Sequence, residues 1–207
     1  MQYESLIFDI DGTLWDSRQL VAEGYNLQLQ EEGLAHLCVN AEQLRPLFGK
    51  VLTEIADILF ASIDESQRYD LMKRCMDREN RYLFENECRI GYPHVKETLE
   101  ALAKQHRLFI VSNSEKGYPD LCMDKLGLRH LISGYLCFGD TGTSKGRTIL
   151  RLMKEHAISS CAYIGDTQGD LEACREAGIP FIFAAYGLGQ AEHWDARIDS
   201  IEALLSM

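Results

Sequence analysis

The stretch IFDIDGTLWDS, residues 7–17, leads an apolar approach into two aspartates one residue apart, Asp9 and Asp11. A short, continuous apolar run such as SLIFDI (5–10) suits a strand buried on both faces of a parallel sheet. Side chains at i and i+2 of a strand share a face, about 6.6 Å apart. Asp9 and Asp11 can therefore reach one substrate from the same direction, and the glycine and threonine that follow turn the chain sharply. Taken alone, the pattern also fits a strand end with an Asx turn. A calcium loop is excluded, because the glycine comes too early and the twelfth position counted from Asp9 is Leu20 rather than glutamate.

Working outward, three more apolar runs have strand length: LFIVSN (108–113), CAYIGD (161–166) and FIFAAY (181–186). Helical patterns separate or follow them: VKETLEALAKQ (95–105), PDLCMDKLGL (119–128), KGRTILRLMKEH (145–156) and QGDLEACREAG (168–178). Strands alternating with helices predict an α/β, doubly wound parallel sheet. Ligands of such sheets bind beyond the carboxyl ends of the strands, where these runs turn polar. Residues 17–90 break the alternation and read as helices only, through SRQLVAEGYNLQLQEEG, AEQLRPLF, KVLTEIADILFAS and DESQRYDLMKRCMDRENRYLFEN. The expected organisation is a core domain of residues 1–16 plus 91–207, with a small all-helical domain, 17–90, inserted after the first strand and over the sheet's active end. Pro93 is expected in the first turn of the helix that follows.

The formal net charge is −11, from 32 acidic and 21 basic residues, with no run of lysine and arginine. That argues against nucleic acid or an anionic membrane as partner, while leaving a small anion open. No stretch approaches the roughly 18 apolar residues of a membrane span, and the N-terminus lacks the basic start and apolar core of an export signal. The expected compartment is the cytoplasm and the starting expectation a monomer. Cys38, Cys75, Cys88, Cys122, Cys137, Cys161 and Cys174 form no C-x-x-C, so they read as small core residues in a reducing compartment.

FDIDGT (8–13) resembles the first signature of the haloacid dehalogenase (HAD) superfamily, most of whose members are phosphatases. IVSNS (110–114) resembles the second, a strand ending in Ser112. Lys145, opening a helix, resembles the third, although Gly146 stands where many relatives have proline. YIGDTQGD (163–170) resembles the fourth, with Asp166 and Asp170. YPHVKETLEAL, LGLRHLI and ACREAGIPFI are similar to phosphoglycolate-phosphatase-type members, so the resemblance covers nearly all of the chain and is weakest in the helical insertion. It implies a Rossmann-like core with a helical cap. It makes Asp9 the nucleophile that carries an aspartyl-phosphate and Asp11 the general acid and base. It puts Mg²⁺ between Asp9, Asp166 and the backbone carbonyl of Asp11, with Asp170 holding the metal's water shell. Gly12, the Ser112 hydroxyl, the Asn113 amide and Lys145 then hold the phosphoryl oxygens.

LRPLFGKVLTEI (44–55) resembles the cap's specificity segment. Arg45 and Lys50 there could meet a substrate carboxylate or second phosphate, or remain solvated helix residues. Trp15 could pack in the cap hinge. Asp11 argues against dehalogenases and phosphonatases, which lack that acid, and Ile10 against transporter ATPases, which carry lysine there. The implied activity is Mg-dependent hydrolysis of a small phosphomonoester, phosphoglycolate-like or a sugar phosphate. A β-phosphoglucomutase-type phosphotransferase and a pyrophosphatase share the signatures. A non-catalytic phospho-ligand binder is disfavoured because none of the four acids is missing. GDTGTSKG (139–146) lacks the spacing of a P-loop and GLGQAE (187–192) that of a dinucleotide fingerprint, so both are expected to be plain loops.

Overall fold

All four side chains of Ser5–Phe8 are buried in the computed structural model, which describes residues 3–87 and 90–207. Successive strand side chains point to opposite faces, so this strand, β1, is covered on both sides. In chain order there follow α1 (Arg18–Glu31), α2 (Ala41–Leu44), α3 (Leu52–Leu59), α4 (Glu65–Glu85), α5 (Val95–Leu102), β2 (Arg107–Ser112), α6 (Tyr118–Leu126), β3 (Ile132–Cys137), α7 (Phe138–Thr141), α8 (Lys145–Glu155), β4 (Cys161–Gly165), α9 (Gln168–Ala177), β5 (Phe181–Ala184) and β6 (Ala196–Ile198). Among the described residues the strands form one sheet in the order β3-β2-β1-β4-β5-β6, with every neighbouring pair parallel. The chain winds one way from β1 to β3 and the other way from β4 to β6. The switch point, where such sheets bind ligands, is therefore between β1 and β4.

The described residues fall into two compact units, one running to Asp16 and resuming at Ile90, the other beginning at Ser17. In the first, Ile7, Phe109, Val111 and Tyr163 of the sheet pack with Ile149 and Leu152 of α8 and Leu171 and Cys174 of α9. Each fully buried large aliphatic side chain of this kind contributes about 1.5–3 kcal/mol. That packing fixes α8 and α9 against the sheet, and with them whatever their N-termini carry. In the second unit, α1 buries Leu20, Val21, Tyr25 and Leu29, and α4 buries Leu71, Met72, Cys75 and Leu83. Exposed ion pairs, Arg74 with Glu32 and Arg78 with Glu31, tie the two helices together.

Two strands differ from expectation. β3 is an edge strand with mostly half-buried or exposed positions, and Gly134 interrupts it, so it lacks a continuous apolar run. β6 has three residues, with exposed Arg197 in the middle. Pro93 lies in the turn before α5 rather than in its first turn, because His94 is the N-cap, in the left-handed region at φ 61°. The six described cysteines are free thiols and all except Cys38 are buried; Cys88 lies outside the described residues. No helix among the described residues is long and apolar enough to cross a membrane.

Candidate active site

At the end of β1 the amide of Asp9 still donates to the Ile164 carbonyl of β4, at 2.9 Å. This last rung of the ladder brings Asp9 and Asp166, two residues beyond Ile164, to the switch point. The register Phe8 to Ile110 carries Ser112 of β2 to the same end of the sheet. Ser112 is buried, and its hydroxyl accepts from the Ser114 amide at 3.2 Å. Asn113 beside it is half-buried.

Asp166 and Asp170 are set by the start of α9. Thr167 caps the helix by accepting from the Asp170 amide at 3.2 Å. The Asp170 carboxylate reaches back, and its Oδ2 accepts from the Thr167 hydroxyl (2.7 Å), the Thr167 amide (3.0 Å) and the Asp166 amide (3.2 Å). A reciprocal cap of this sort satisfies donors that a helix start leaves orphaned. Lys145, the first residue of α8, is buried, and its ammonium donates to Asp170 Oδ1 at 2.7 Å and Asp9 Oδ1 at 3.1 Å. Arg147 instead lies exposed against Glu176. Glycine at 146 has a packing reason, because a Cβ there would fall 2.6 Å from the Glu176 Cβ.

One oxygen from each of Asp9, Asp166 and Asp170 lies within 4.8 Å of the others, and all three residues are buried. Burial pushes the Asp9 carboxyl well above the carboxylate range; Lys145 opposes this, while Asp170, Asp166 and Asp11 add to it. Burial, then the Asp170 charge, push Asp166 up to about 7, against the pull of the Gly189 and Leu188 amides. Burial alone would lower Lys145, but Asp170 and Asp9 outweigh it and hold the ammonium above its ordinary value.

The GLGQAE segment is more than a plain loop. The amides of Leu188 and Gly189 donate to Asp166 Oδ2 at 2.7 and 2.9 Å. Gly12 and Gly187 flank the same carboxylate. A Cβ on Gly12, at φ +80°, would fall 2.1 Å from Asp166 Oδ2, and one on Gly187 would fall 2.4 Å from the Asp166 Cβ. Asp166 Oδ1, by contrast, is buried with no hydrogen-bond partner. Three buried carboxylates, an all-oxygen donor set and an orphaned acceptor fit a hard divalent cation of the magnesium type. The GDTGTSKG segment forms α7 and then the N-cap of α8, where the Ser144 hydroxyl accepts from the Arg147 amide at 3.4 Å.

Asp11 shares the strand end with Asp9 but not its partners. Its Oδ1 accepts from the Trp15 indole at 2.7 Å and from the Tyr118 hydroxyl at 2.9 Å. The strand ends at Phe8 and a turn follows, and the two carboxylates take different partners. Trp15 is fully buried, and its contact with Asp11 went unread in the sequence, as did Tyr118. Arg45 and Lys50 belong to the second unit, where Arg45 lies 4.0 Å from Glu42 and Lys50 3.8 Å from Glu54.

The profile of the family described as haloacid dehalogenase-like hydrolase matches residues 6–184. The chain is similar to a phosphoglycolate phosphatase of Xanthomonas campestris pv. campestris, at 29% identity over 88% of this chain and 83% of the relative. It is also similar to one of Aliivibrio fischeri, at 28% identity over 90% and 86%. Among solved structures, a haloacid dehalogenase-like hydrolase from Streptococcus pneumoniae superposes with a TM-score of 0.80 at 21% identity, covering 99% of this chain and 97% of that one.

Proposed function

This chain belongs to the haloacid dehalogenase-like hydrolase family, and we propose that within it the protein is a Mg²⁺-dependent phosphatase acting on a small phosphomonoester through an aspartyl-phosphate at Asp9. The observation that carries the reading is the buried group of Asp9, Asp166, Asp170 and Lys145 at the sheet's switch point, with Asp166 Oδ1 unpartnered. The phosphoglycolate phosphatase names of the relatives support a small phosphorylated acid as substrate.

An Asp9 oxygen attacks phosphorus as the ester P–O bond breaks. The bond's electron pair leaves with the substrate alcohol, which takes a proton from Asp11. Water then gives a proton to Asp11 and attacks the phosphoryl group, releasing phosphate and restoring the Asp9 carboxylate. Lys145 and Ser112 bind the phosphoryl oxygens as charge spreads over them. Asp9, Asp166 and the Asp11 carbonyl would hold the cation, which would supply charge neutralisation beside the buried Asp9. Asp170, with Oδ1 on Lys145 and Oδ2 on three donors of the helix cap, orients its neighbours.

The test is release of inorganic phosphate from a panel of phosphomonoesters and pyrophosphate, with Mg²⁺ and with EDTA, beside Asp9→Asn. Metal-dependent turnover that disappears in the variant is expected, with phosphoglycolate among the better substrates. Turnover that survives EDTA or the Asp9 substitution would overturn the reading. A sugar phosphate isomerised rather than hydrolysed would replace it with a phosphomutase.

A further inference from the structure

Two hydrogen-bond donors from separate elements converge on one oxygen of Asp11. Trp15 reaches it from the turn after β1, where the Gly12 amide donates to the Trp15 carbonyl at 2.9 Å and the Trp15 amide to the Ile10 carbonyl at 3.3 Å. The Trp15 backbone is bridged to Gly91 as well, and its side chain is fully buried. Tyr118 reaches the same oxygen from the first position of α6, and its ring meets the indole edge-on, with centroids 5.5 Å apart at 76°. Both aromatic residues are buried.

We infer that Trp15 and Tyr118 are positioning residues that clamp Asp11 Oδ1 and thereby make Oδ2 the oxygen that hands the proton to the leaving alcohol. A carboxylate oxygen offers about two lone-pair sites. The indole N–H and the phenol O–H fill both at Oδ1, so a proton carried by the group sits on Oδ2. The clamp also fixes the plane of the carboxyl, and so the aim of that O–H bond at the ester oxygen. In the transfer, the Oδ2–H bond breaks as the alcohol O–H forms and the electron pair of the ester P–O bond moves onto that oxygen.

This inference rests on the acid role of Asp11 proposed above, and leaving-group dependence separates the two. The nitrophenolate of p-nitrophenyl phosphate departs without being protonated, whereas an alkoxide needs the proton. Asp11→Asn, Tyr118→Phe and Trp15→Phe are compared with the native protein on an alkyl phosphate and on p-nitrophenyl phosphate, with thermal melts alongside. Asp11→Asn is expected to lose about 10²–10⁴ in kcat/KM, which reports only the steps up to departure of the leaving group, on the alkyl ester and far less on the aryl ester. Tyr118→Phe keeps the ring packing and removes one donor, so kcat/KM on the alkyl ester falls about tenfold, with a several-fold smaller loss on the aryl ester. Trp15→Phe shows the same selectivity. Equal losses on both esters in the Tyr118 and Trp15 variants, or no loss, would overturn the clamp while leaving the acid in place. Equal losses of kcat/KM on the two esters in Asp11→Asn would overturn the acid and the clamp with it.

Discussion

Adding one methyl group at Gly12 tests whether the position of Asp166 controls turnover. The Cβ of Gly12→Ala would lie 2.1 Å from Asp166 Oδ2, 2.4 Å from Cγ and 2.6 Å from Oδ1. Unstrained heavy-atom contacts lie at roughly 3.5 Å, so the carboxylate has to move by on the order of 1 Å. It cannot move freely, because Oδ2 is held by the Leu188 and Gly189 amides and Gly187 crowds its Cβ. A misplacement of about 1 Å in a catalytic array costs about 10²-fold in rate. The left-handed backbone, at φ +80°, adds about 1–2 kcal/mol of strain once a Cβ is present.

Gly178→Ala separates the two effects. Gly178 has nearly the same backbone, at φ +69°, but no atom within 4 Å of where its Cβ would fall. It carries the strain alone, about 1–2 kcal/mol, or roughly 2–8 °C in melting temperature for a chain of this size. Thermal melts and phosphate-release kinetics with Mg²⁺ are the assays. Gly12→Ala should lose about 100-fold or more in kcat/KM, and Gly178→Ala less than about twofold at a comparable or smaller drop in stability. Near-native kcat/KM in Gly12→Ala, or an equal loss in Gly178→Ala, would refute the argument that Asp166 must sit where the turn leaves it.

Lys145→Met leaves the buried carboxylates of Asp9 and Asp170 without their shared cation, and should cost about 3–5 kcal/mol together with turnover; a variant that melts and turns over like the native protein would contradict the pairing. Stability without metal should fall with rising pH, because Asp166 is pushed up from 3.8 to about 7. The folded state favours its protonated form, so the penalty is absent below about pH 4, grows as the unfolded chain gives up the proton first, and is complete above about pH 7, at about 4 kcal/mol. Asp9, raised by burial, adds in the same direction. Urea midpoints in EDTA at about pH 5 and about pH 8 measure it, with the drop smaller in Mg²⁺; a midpoint in EDTA that rises over that interval would contradict the sign.

What the sequence showed of the site follows from where the information lies. Asp9, Ser112 and Asp166 stand at or just past the ends of β1, β2 and β4, whose apolar runs need no partner to be read as buried parallel strands. Their carboxyl ends point to the switch point on topology alone. β3 and β6, at the sheet's edges, carry exposed positions and no continuous run, and were not legible. The clamp on Asp11 was hidden for a different reason. The ladder's last rung is the Asp9 amide, so Asp11 lies past it, and a tertiary contact with Tyr118, 107 positions away, holds its carboxylate. The Leu188 and Gly189 amides were invisible because backbone donors have no side-chain signature; two glycines in a loop after a strand were the only trace.

The partners of each carboxylate locate the missing charge. Unit charges 4.8 Å apart interact by about 3 kcal/mol at an effective dielectric of ~20, so three buried carboxylates this close cannot all ionise without compensation. Lys145 supplies one positive charge, shared between Asp9 at 3.1 Å and Asp170 at 2.7 Å. Asp170 has its second oxygen on three donors of the helix cap and is the best satisfied of the three. Asp166 has two amides on Oδ2, nothing on Oδ1, and among the influences on it the pull of Lys145 ranks below both amides. The least compensated negative charge is therefore at Asp166, and not at Asp170. A cation drawn to that charge would lie beside Asp9, and on the proposed reading it would supply the positive charge that the phosphoryl oxygens need there.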